Sequence, residues 1–230
     1  SPGVGDVVEI PSGVSVIGTD FWSVYQGREK LRPVWDFSGA AIFSSEDQYA
    51  RYDTLMDKPG TVRKDTGRVA LAQSRADQKL ESTFRFPYLA HAPMEPLNVV
   101  IDYNGRDCEI WCGTQWPDAD HAAAAGVLGL PARRVNFHTM LSGGGFGRRG
   151  TMDQEFVREA AHLAKKVKKP LKLVWTREDD IKGGYYRPSA VVRLTGTLNK
   201  RGEVTSIMGR IASQSAAIGP LMESFVALIG

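Results

Sequence analysis

The sequence of 230 residues is 42% hydrophobic and 24% charged, values that are typical of a globular protein and exclude a disordered or collagen-like chain. Its 29 basic and 26 acidic residues give a formal net charge of +3, an excess too small to indicate nucleic-acid binding. No apolar run approaches the roughly 18–20 residues that a membrane-spanning helix needs.

The first 36 residues predict short strands joined by tight turns. Residues 7–10 and 14–17 are β-rich and flank a Pro-Ser-Gly turn, and residues 31–35 form a third β-rich segment. Between them, Asp20 is a predicted N-cap for a helix that ends at Gly27.

Residues 37–78 predict a connector between two domains. This polar stretch contains one predicted helix, from Ser44 or Ser45 to Met56, and residues 70–76 predict a further helical turn. Between these two, the sequence KPGTVRKDTGRV is typical of an exposed segment. The stretch is therefore where we expect a domain boundary.

From residue 79 onwards, strands and helices mix in a pattern typical of an α+β fold. The predicted strands cover residues 81–86, 97–103, 109–114, 135–140, 171–176, 191–197 and 204–211. The predicted helices cover residues 118–129 and 153–168, and an acidic turn covers residues 177–180. Asn104-Gly105 predicts a hairpin between the second and third of these strands. The predicted fold class is α+β, with mixed sheets and flanking helices.

The two cysteines, Cys108 and Cys112, lie in one predicted strand. A disulfide between them is not expected, because Cα atoms four residues apart in a strand are roughly 13 Å apart. No second Cys or His pair stands at a zinc-binding spacing. In a strand both side chains point the same way as Ile110, so we expect them to be inert and buried in the core.

The glycine-rich segment SGGGFGRRG is the most informative motif. Its residues 145–150 match the pattern GxGxxG between a predicted strand and a predicted helix, which is typical of dinucleotide binding. Against that function, the preceding strand is half polar, and two arginines stand where the helix must pack closely on the sheet. Consecutive glycines followed by arginines still predict backbone N–H groups close to an anionic ligand.

The four histidines give weaker signals. His121, His138 and His162 are expected to be partnered or solvated rather than catalytic. His91 lies in the segment LAHAPMEPL, close in sequence to Glu95, so a general acid–base pair is an alternative to a purely structural loop there.

Three motifs occur in order along the chain: WCGTQWPDADHAAAAGVLGLPARRV, then SGGGFGRRG, then VKKPLKLVWTREDDI with GGYYRP. Together they resemble the large, molybdenum-cofactor-binding subunit of the xanthine oxidase family. The segments YLAHAPMEP and GGGFGRR are most similar to the branch with the isoquinoline 1-oxidoreductase beta subunit and membrane-associated aldehyde dehydrogenases. The resemblance implies the end of an α/β hammerhead domain in residues 1–36, a connector in 37–78 and the first part of a molybdopterin-cofactor-binding domain in 79–230.

The resemblance also implies roles for particular residues. Gln115 matches a glutamine whose amide hydrogen-bonds an oxygen ligand of molybdenum, and Arg148 lies where its charge would meet the cofactor's phosphate. Four residues match a loop whose backbone N–H groups face the metal ligands and the pterin: Gly144, Gly145, Phe146 and Gly147. No metal-ligating side chain is implied. The family's catalytic base is a glutamate in a late motif without a match here, so it is expected beyond Gly230.

The implied function is that of a fragment of the catalytic subunit of a bacterial molybdenum hydroxylase, which oxidises N-heterocycles or aldehydes with water as the oxygen source. The expected cofactor is molybdenum–molybdopterin, with or without a cytosine dinucleotide, and the fragment alone is expected to be inactive and to retain none. Expected partners are the remainder of the large subunit, a small [2Fe-2S] subunit and the small-molecule substrate, but no nucleic acid. The family implies a periplasmic or membrane-associated location. The alternative is a nucleotide- or ligand-binding module that uses the GxGxxG loop.

Overall fold

A computed structural model of the protein describes residues 2–214. In chain order its elements are β1 (Val4–Ile10), β2 (Gly13–Gly18), α1 (Phe21–Glu29), α2 (Ser45–Met56), α3 (Val69–Ser74), β3 (Gln78–Phe86), β4 (Asn98–Tyr103), β5 (Cys108–Cys112), α4 (Pro117–Leu128), β6 (Val135–Thr139), α5 (Glu155–Val167), β7 (Leu171–Val174), α6 (Arg177–Lys182), β8 (Ala190–Leu198) and β9 (Val204–Ser213). Mixed helices and sheets confirm the predicted α+β class.

The chain forms two compact units that are each discontinuous in sequence. The first comprises Ser1–Gly39 and Ala90–Tyr185, and the second Ala40–Leu89 and Tyr186–Gly230. Most of the segment predicted as a connector, residues 37–78, therefore belongs to the second unit and supplies its helices α2 and α3. The assignment of residues 1–36 to a hammerhead domain stays a prediction.

The first unit begins with the predicted hairpin and helix. β1 and β2 pair antiparallel, and the Asp20 carboxylate caps α1 by accepting from the backbone N–H of Ser23 at 2.9 Å. The strand predicted at residues 31–35 is wrong, because this stretch has no regular structure and pairs with no described strand. Its β-branched and aromatic residues misled the prediction: Val34 is 97% exposed and has no sheet to pack on.

A four-stranded sheet forms the core of the first unit, in the order β6-β5-β4-β7. β4 is antiparallel to both of its neighbours, and the Asn104-Gly105 hairpin joins it to β5 as predicted. β5 and β6 are parallel, so the chain needs a crossover between them, which α4 provides. Helices α4 and α5 pack on the sheet through the apolar cluster that contains Ile101, Ile110 and Phe156.

Cys108 and Cys112 are both free and buried in this cluster, which confirms their prediction as core residues. Burial raises the pKa of each thiol to about 12, so neither forms a thiolate at neutral pH. The acidic turn predicted at residues 177–180 is instead the short helix α6. Its N-cap Thr176 forms a capping box with Asp179, a pattern that the charge cluster concealed.

The second unit is a three-stranded antiparallel sheet, in the order β3-β8-β9. Tyr52 and Met56 of α2 cover one face, where they pack against Val191 and Ala212. The alternate residues of the strands form the opposite face, and several large apolar side chains there are exposed: Leu80, Phe84, Phe86, Leu194, Ile207 and Ile211. Within residues 2–214, no helix has the length and apolar character needed to cross a membrane.

Candidate functional site

The glycine loop, residues 143–150, connects β6 to the segment that leads into α5. Gly144 and Gly147 have φ values of +100° and +101°, a backbone region that favours glycine. Phe146 has φ +57° and a side chain that is 75% exposed. A non-glycine residue in this region costs free energy, and such positions are common where a loop holds a ligand.

Gln115 lies two residues beyond Gly113 at the end of β5 and contacts the glycine loop directly. Its backbone N–H donates to the carbonyl of Arg149 at 2.9 Å. Its side-chain Oε1 accepts from the backbone N–H of Gly147 at 2.9 Å and from that of Arg149 at 3.3 Å. The structure therefore brings Gln115 together with the predicted loop residues, although 32 positions separate it from Gly147.

These contacts leave a set of hydrogen-bond donors without protein acceptors. Within residues 2–214, no hydrogen bond engages the backbone N–H groups of Gly144, Gly145 and Phe146, nor Nε2 of Gln115. All four groups donate and none accepts, so the site suits a ligand rich in anionic or carbonyl-like oxygens. This donor set fits the oxygen-rich molybdenum–pterin group that the sequence implies.

Gly145 lies so close to the Gln115 side chain that it has no room for a Cβ. A Cβ at this position would lie 2.5 Å from Oε1 of Gln115 and 2.8 Å from its Cδ. Its φ lies outside the left-handed region, so close approach rather than backbone conformation requires the glycine here. Any larger residue would displace the Gln115 side chain.

Arg148 does not reach the surface of the loop. Its side chain is 1% exposed and forms an ion pair with Glu155, while Nε lies 3.8 Å from Oδ1 of Asp180. The guanidinium carbon lies 5.1 Å from the centre of the Trp175 ring. In this structure the charge of Arg148 is thus matched by two carboxylates of the protein. Its implied contact with a phosphate stays a prediction that this geometry does not support.

The sequence motif did not distinguish Arg149 from Arg148 as a site residue. Its side chain is fully buried and donates hydrogen bonds to the carbonyls of Gly144, Gly113 and Glu95. The adjacent Arg148 makes none of these bonds, and the motif alone cannot distinguish two consecutive arginines. The different contacts of Arg148 and Arg149 are visible only in the folded structure.

The segment of His91 and Glu95 packs against the glycine loop. Oε2 of Glu95 accepts from Gly143 N–H at 2.5 Å and Oε1 from the Asn98 amide at 2.6 Å. Partial burial opposes ionisation of Glu95, but these hydrogen bonds and the charge of Arg149 outweigh it, so the pKa of Glu95 is lowered. A carboxylate held in this way is a poor general base, and the structure favours the structural alternative for this segment.

The buried carboxyl group of Asp120 lies in the first turn of α4, five residues after Gln115. Asp120 is 1% exposed and accepts a hydrogen bond from the Thr114 hydroxyl, whose oxygen accepts from Trp116 N–H at 2.9 Å. Burial, with a further contribution from Glu155, raises the pKa of Asp120 to about 6, although the hydrogen bond from Thr114 opposes the shift. Asp120 therefore changes charge at about pH 6.

The structure lacks the geometry of a dinucleotide site. β6 lies at the edge of the sheet, whereas the fingerprint strand of a dinucleotide-binding fold is central and parallel to its neighbours. α5 begins only at Glu155, after Gln154 with φ +47°, so its N-terminus does not follow directly on the glycine motif. In the part of the chain that the structure describes, no three His, Cys, Asp or Glu side chains form a metal-binding group.

Known proteins resemble this chain over most of its length. It is 30% identical to isoquinoline 1-oxidoreductase subunit beta of Brevundimonas diminuta over 225 residues, which are 93% of this chain and 29% of that protein. It is 26% identical to a membrane-bound aldehyde dehydrogenase of Gluconacetobacter polyoxogenes, covering 97% of this chain and 29% of that protein. The chain thus spans less than a third of the length of these relatives.

A solved structure shares the fold. Quinoline 2-oxidoreductase from Pseudomonas putida 86 superposes with a TM-score of 0.54 at 17% identity, covering 62% of this chain and 18% of that one. The profile of one protein family, the molybdopterin cofactor-binding domain, matches residues 54–229. Because the match includes both Gln115 and the glycine loop, the chain belongs to the molybdopterin cofactor-binding domain family.

Proposed function

We propose that this chain is the part of a molybdenum hydroxylase's large subunit that binds the cofactor through the glycine loop and Gln115. The observation that carries the proposal is a group of four donors that make no hydrogen bond within residues 2–214, three on consecutive loop residues and one on Gln115. The hydrogen bond between Oε1 of Gln115 and Gly147 N–H fixes their relative position. The family to which the chain belongs supports the same cofactor.

When bound, the cofactor supplies two-electron oxidation of a carbon atom, with water as the source of the oxygen. The residues of this chain would bind the cofactor and orient it. The N–H groups of Gly144, Gly145 and Phe146 would hold oxygen atoms of the cofactor through donors that the folded loop already orients. Nε2 of Gln115 would donate to an oxygen atom of the bound cofactor. No base for the proton transfer is assigned to the described residues, and we expect it on the remainder of the large subunit.

The names of the relatives support N-heterocycles or aldehydes as the substrate class. One relative is an isoquinoline oxidoreductase subunit and another is an aldehyde dehydrogenase. Since the relatives are more than three times as long as this chain, we propose that the remainder of the large subunit completes the site. We further propose a [2Fe-2S] partner subunit, a pterin with or without a cytosine dinucleotide, and a periplasmic or membrane-associated location.

The experiment is to purify the full-length protein from a host that makes the cofactor and to measure its molybdenum content by mass spectrometry. Oxidation of isoquinoline and of an aromatic aldehyde is then followed in water enriched in ¹⁸O. We expect stoichiometric molybdenum and a product that carries ¹⁸O. A folded protein without molybdenum, or a product whose oxygen comes from O₂, contradicts the proposal.

A further inference from the structure

The guanidinium group of Arg149 connects three separate segments of the chain. Nε donates to the Gly144 carbonyl at 2.9 Å, Nη1 to the Gly113 carbonyl at 3.1 Å and Nη2 to the Glu95 carbonyl at 3.0 Å. These carbonyls belong to the glycine loop, the end of β5 and the segment that contains His91. The Arg149 side chain is 0% exposed, so water does not compete for its donors.

The backbone of Arg149 contacts Gln115. Its carbonyl accepts from Gln115 N–H at 2.9 Å, and its own N–H lies 3.3 Å from Oε1 of Gln115. Arg149 therefore fixes the glycine loop through its side chain and Gln115 through its main chain. None of these contacts uses the N–H groups of Gly144, Gly145 and Phe146 or Nε2 of Gln115, which no other described residue engages.

Glu95 completes the arrangement. Its Oε1 lies 3.5 Å from Nη2 of Arg149, which compensates the buried positive charge. Its backbone N–H donates to the Gly143 carbonyl at 3.2 Å, while its Oε2 accepts from Gly143 N–H at 2.5 Å. The pair of Glu95 and Arg149 thus holds both the first residue of the glycine loop and its neighbour Gly144.

We propose that Arg149 is a positioning residue, which sets the spacing between the loop donors and Gln115 that cofactor binding requires. This inference rests on the proposed function. The planar guanidinium directs its N–H groups towards three carbonyls at once, whereas the ammonium of lysine is a single donor centre on a flexible stem. Arg149→Lys therefore keeps the charge beside Glu95 but loses the fixed geometry.

The test compares Arg149→Lys with the wild-type full-length protein. The measurements are molybdenum content, the visible and EPR spectra of the bound metal, melting temperature, and hydrogen exchange at the amides of Gly143 and Gly147. We expect the exchange at both amides to accelerate about tenfold or more, as their hydrogen bonds lose support. Molybdenum content falls in parallel, and the spectra of the metal that remains are altered.

Ile101→Ala is the control for stability. Ile101 is fully buried in β4, and its truncation lowers the melting temperature without removing a contact to the loop. We expect wild-type spectra and wild-type exchange in the glycine loop for this variant. Equal effects of both variants, or wild-type exchange and spectra in Arg149→Lys, overturn the positioning role. A wild-type protein without molybdenum instead contradicts the proposed function, while the exchange measurement still tests the loop contacts.

Discussion

Oε1 of Gln115 accepts a hydrogen bond from the backbone N–H of Gly147 at 2.9 Å, although the two residues are 32 positions apart. This bond determines which end of the Gln115 amide remains for a ligand. Because the oxygen is occupied, the free group is Nε2, which only donates. We therefore propose that the site recognises a hydrogen-bond acceptor, in agreement with the loop N–H groups that make no hydrogen bond within residues 2–214.

The first prediction concerns Gln115→Ala in the full-length protein. In the proposed site, the change would remove a hydrogen bond to a charged metal–oxygen group, an interaction of roughly 1.5–3 kcal/mol. If the bond strengthens in the transition state, turnover falls by about one to two orders of magnitude. The melting temperature changes little, because the Gln115 side chain is exposed. Steady-state rates and thermal melting check both expectations.

Gln115→Glu is the matched control for that variant. Its carboxylate still accepts from Gly147 N–H, but it replaces the Nε2 donor with a second acceptor. We expect a loss of turnover at least as large as in Gln115→Ala. The carboxylate oxygen that replaces Nε2 would repel the negatively charged oxygen of the cofactor. Wild-type turnover in Gln115→Glu would show that the donor is not used.

The second prediction is that the glycine loop binds no nicotinamide dinucleotide. Its strand lies at the sheet edge, and Arg148 and Arg149 are both buried in protein contacts rather than available to a phosphate. Titration calorimetry with NAD and NADP should give no specific heat. A dissociation constant near 1 μM, about −8 kcal/mol, would favour the alternative of a nucleotide-binding module.

The third prediction concerns the pH dependence of stability. The pKa of Asp120 is about 6 in the folded protein against 3.8 as its ordinary value. Between these two pH values the folded state holds more protons than the unfolded state, so the contribution of Asp120 to stability falls as pH rises through this window. Above about pH 6 the ionised form costs on the order of 2–3 kcal/mol.

Asp120→Asn removes this titration and retains an oxygen that accepts from the Thr114 hydroxyl. We expect the variant to gain stability relative to the wild type as pH rises from about 4 to 6, with a constant difference above. Melting temperatures of both proteins across this range check the expectation. A difference that does not depend on pH would show that Asp120 stays ionised throughout.

Most elements of the fold were predictable because local chemistry determines them. Asp20 and Ser44 cap the helices at the predicted positions, and Asn104-Gly105 joins β4 to β5 as expected. Residues 31–35 were not predictable, since β-rich composition does not indicate whether a partner strand exists. The division into two discontinuous units depends on contacts between distant segments, which periodicity does not reveal.

The site was predictable only in part. The resemblance selected Gln115 and the glycine loop, and the structure brings them into contact. The different environments of Arg148 and Arg149 depend on the direction of each side chain after Gly147, where the backbone has φ +101°. The motif contains no information on those directions, so the function of Arg149 in holding three segments became visible only in the folded chain.

The fourth prediction is that the 230-residue chain alone retains no molybdenum and has no hydroxylase activity. The chain spans 29% of the length of its relative from Brevundimonas diminuta, and we propose that other parts of the large subunit complete the site. Metal analysis of the purified chain checks this. Stoichiometric molybdenum in the isolated chain would show that the glycine loop and Gln115 suffice.

The fifth prediction tests whether the glycine loop binds the cofactor at all. In Gly145→Val, the new side chain would occupy the position of Oε1 of Gln115, since even a Cβ would lie 2.5 Å from that atom. The substitution therefore displaces Gln115 and obstructs approach to the loop N–H groups. Gly13→Val is the control, because a Cβ there meets no atom within 4 Å.

The most direct measurement is the molybdenum content of full-length Gly145→Val beside that of Gly13→Val and the wild type, with melting temperatures to confirm folding. We expect Gly145→Val to fold and to contain no molybdenum, and Gly13→Val to have the wild-type content. A folded Gly145→Val protein with full molybdenum content would contradict this expectation, and the glycine loop would then be only a turn.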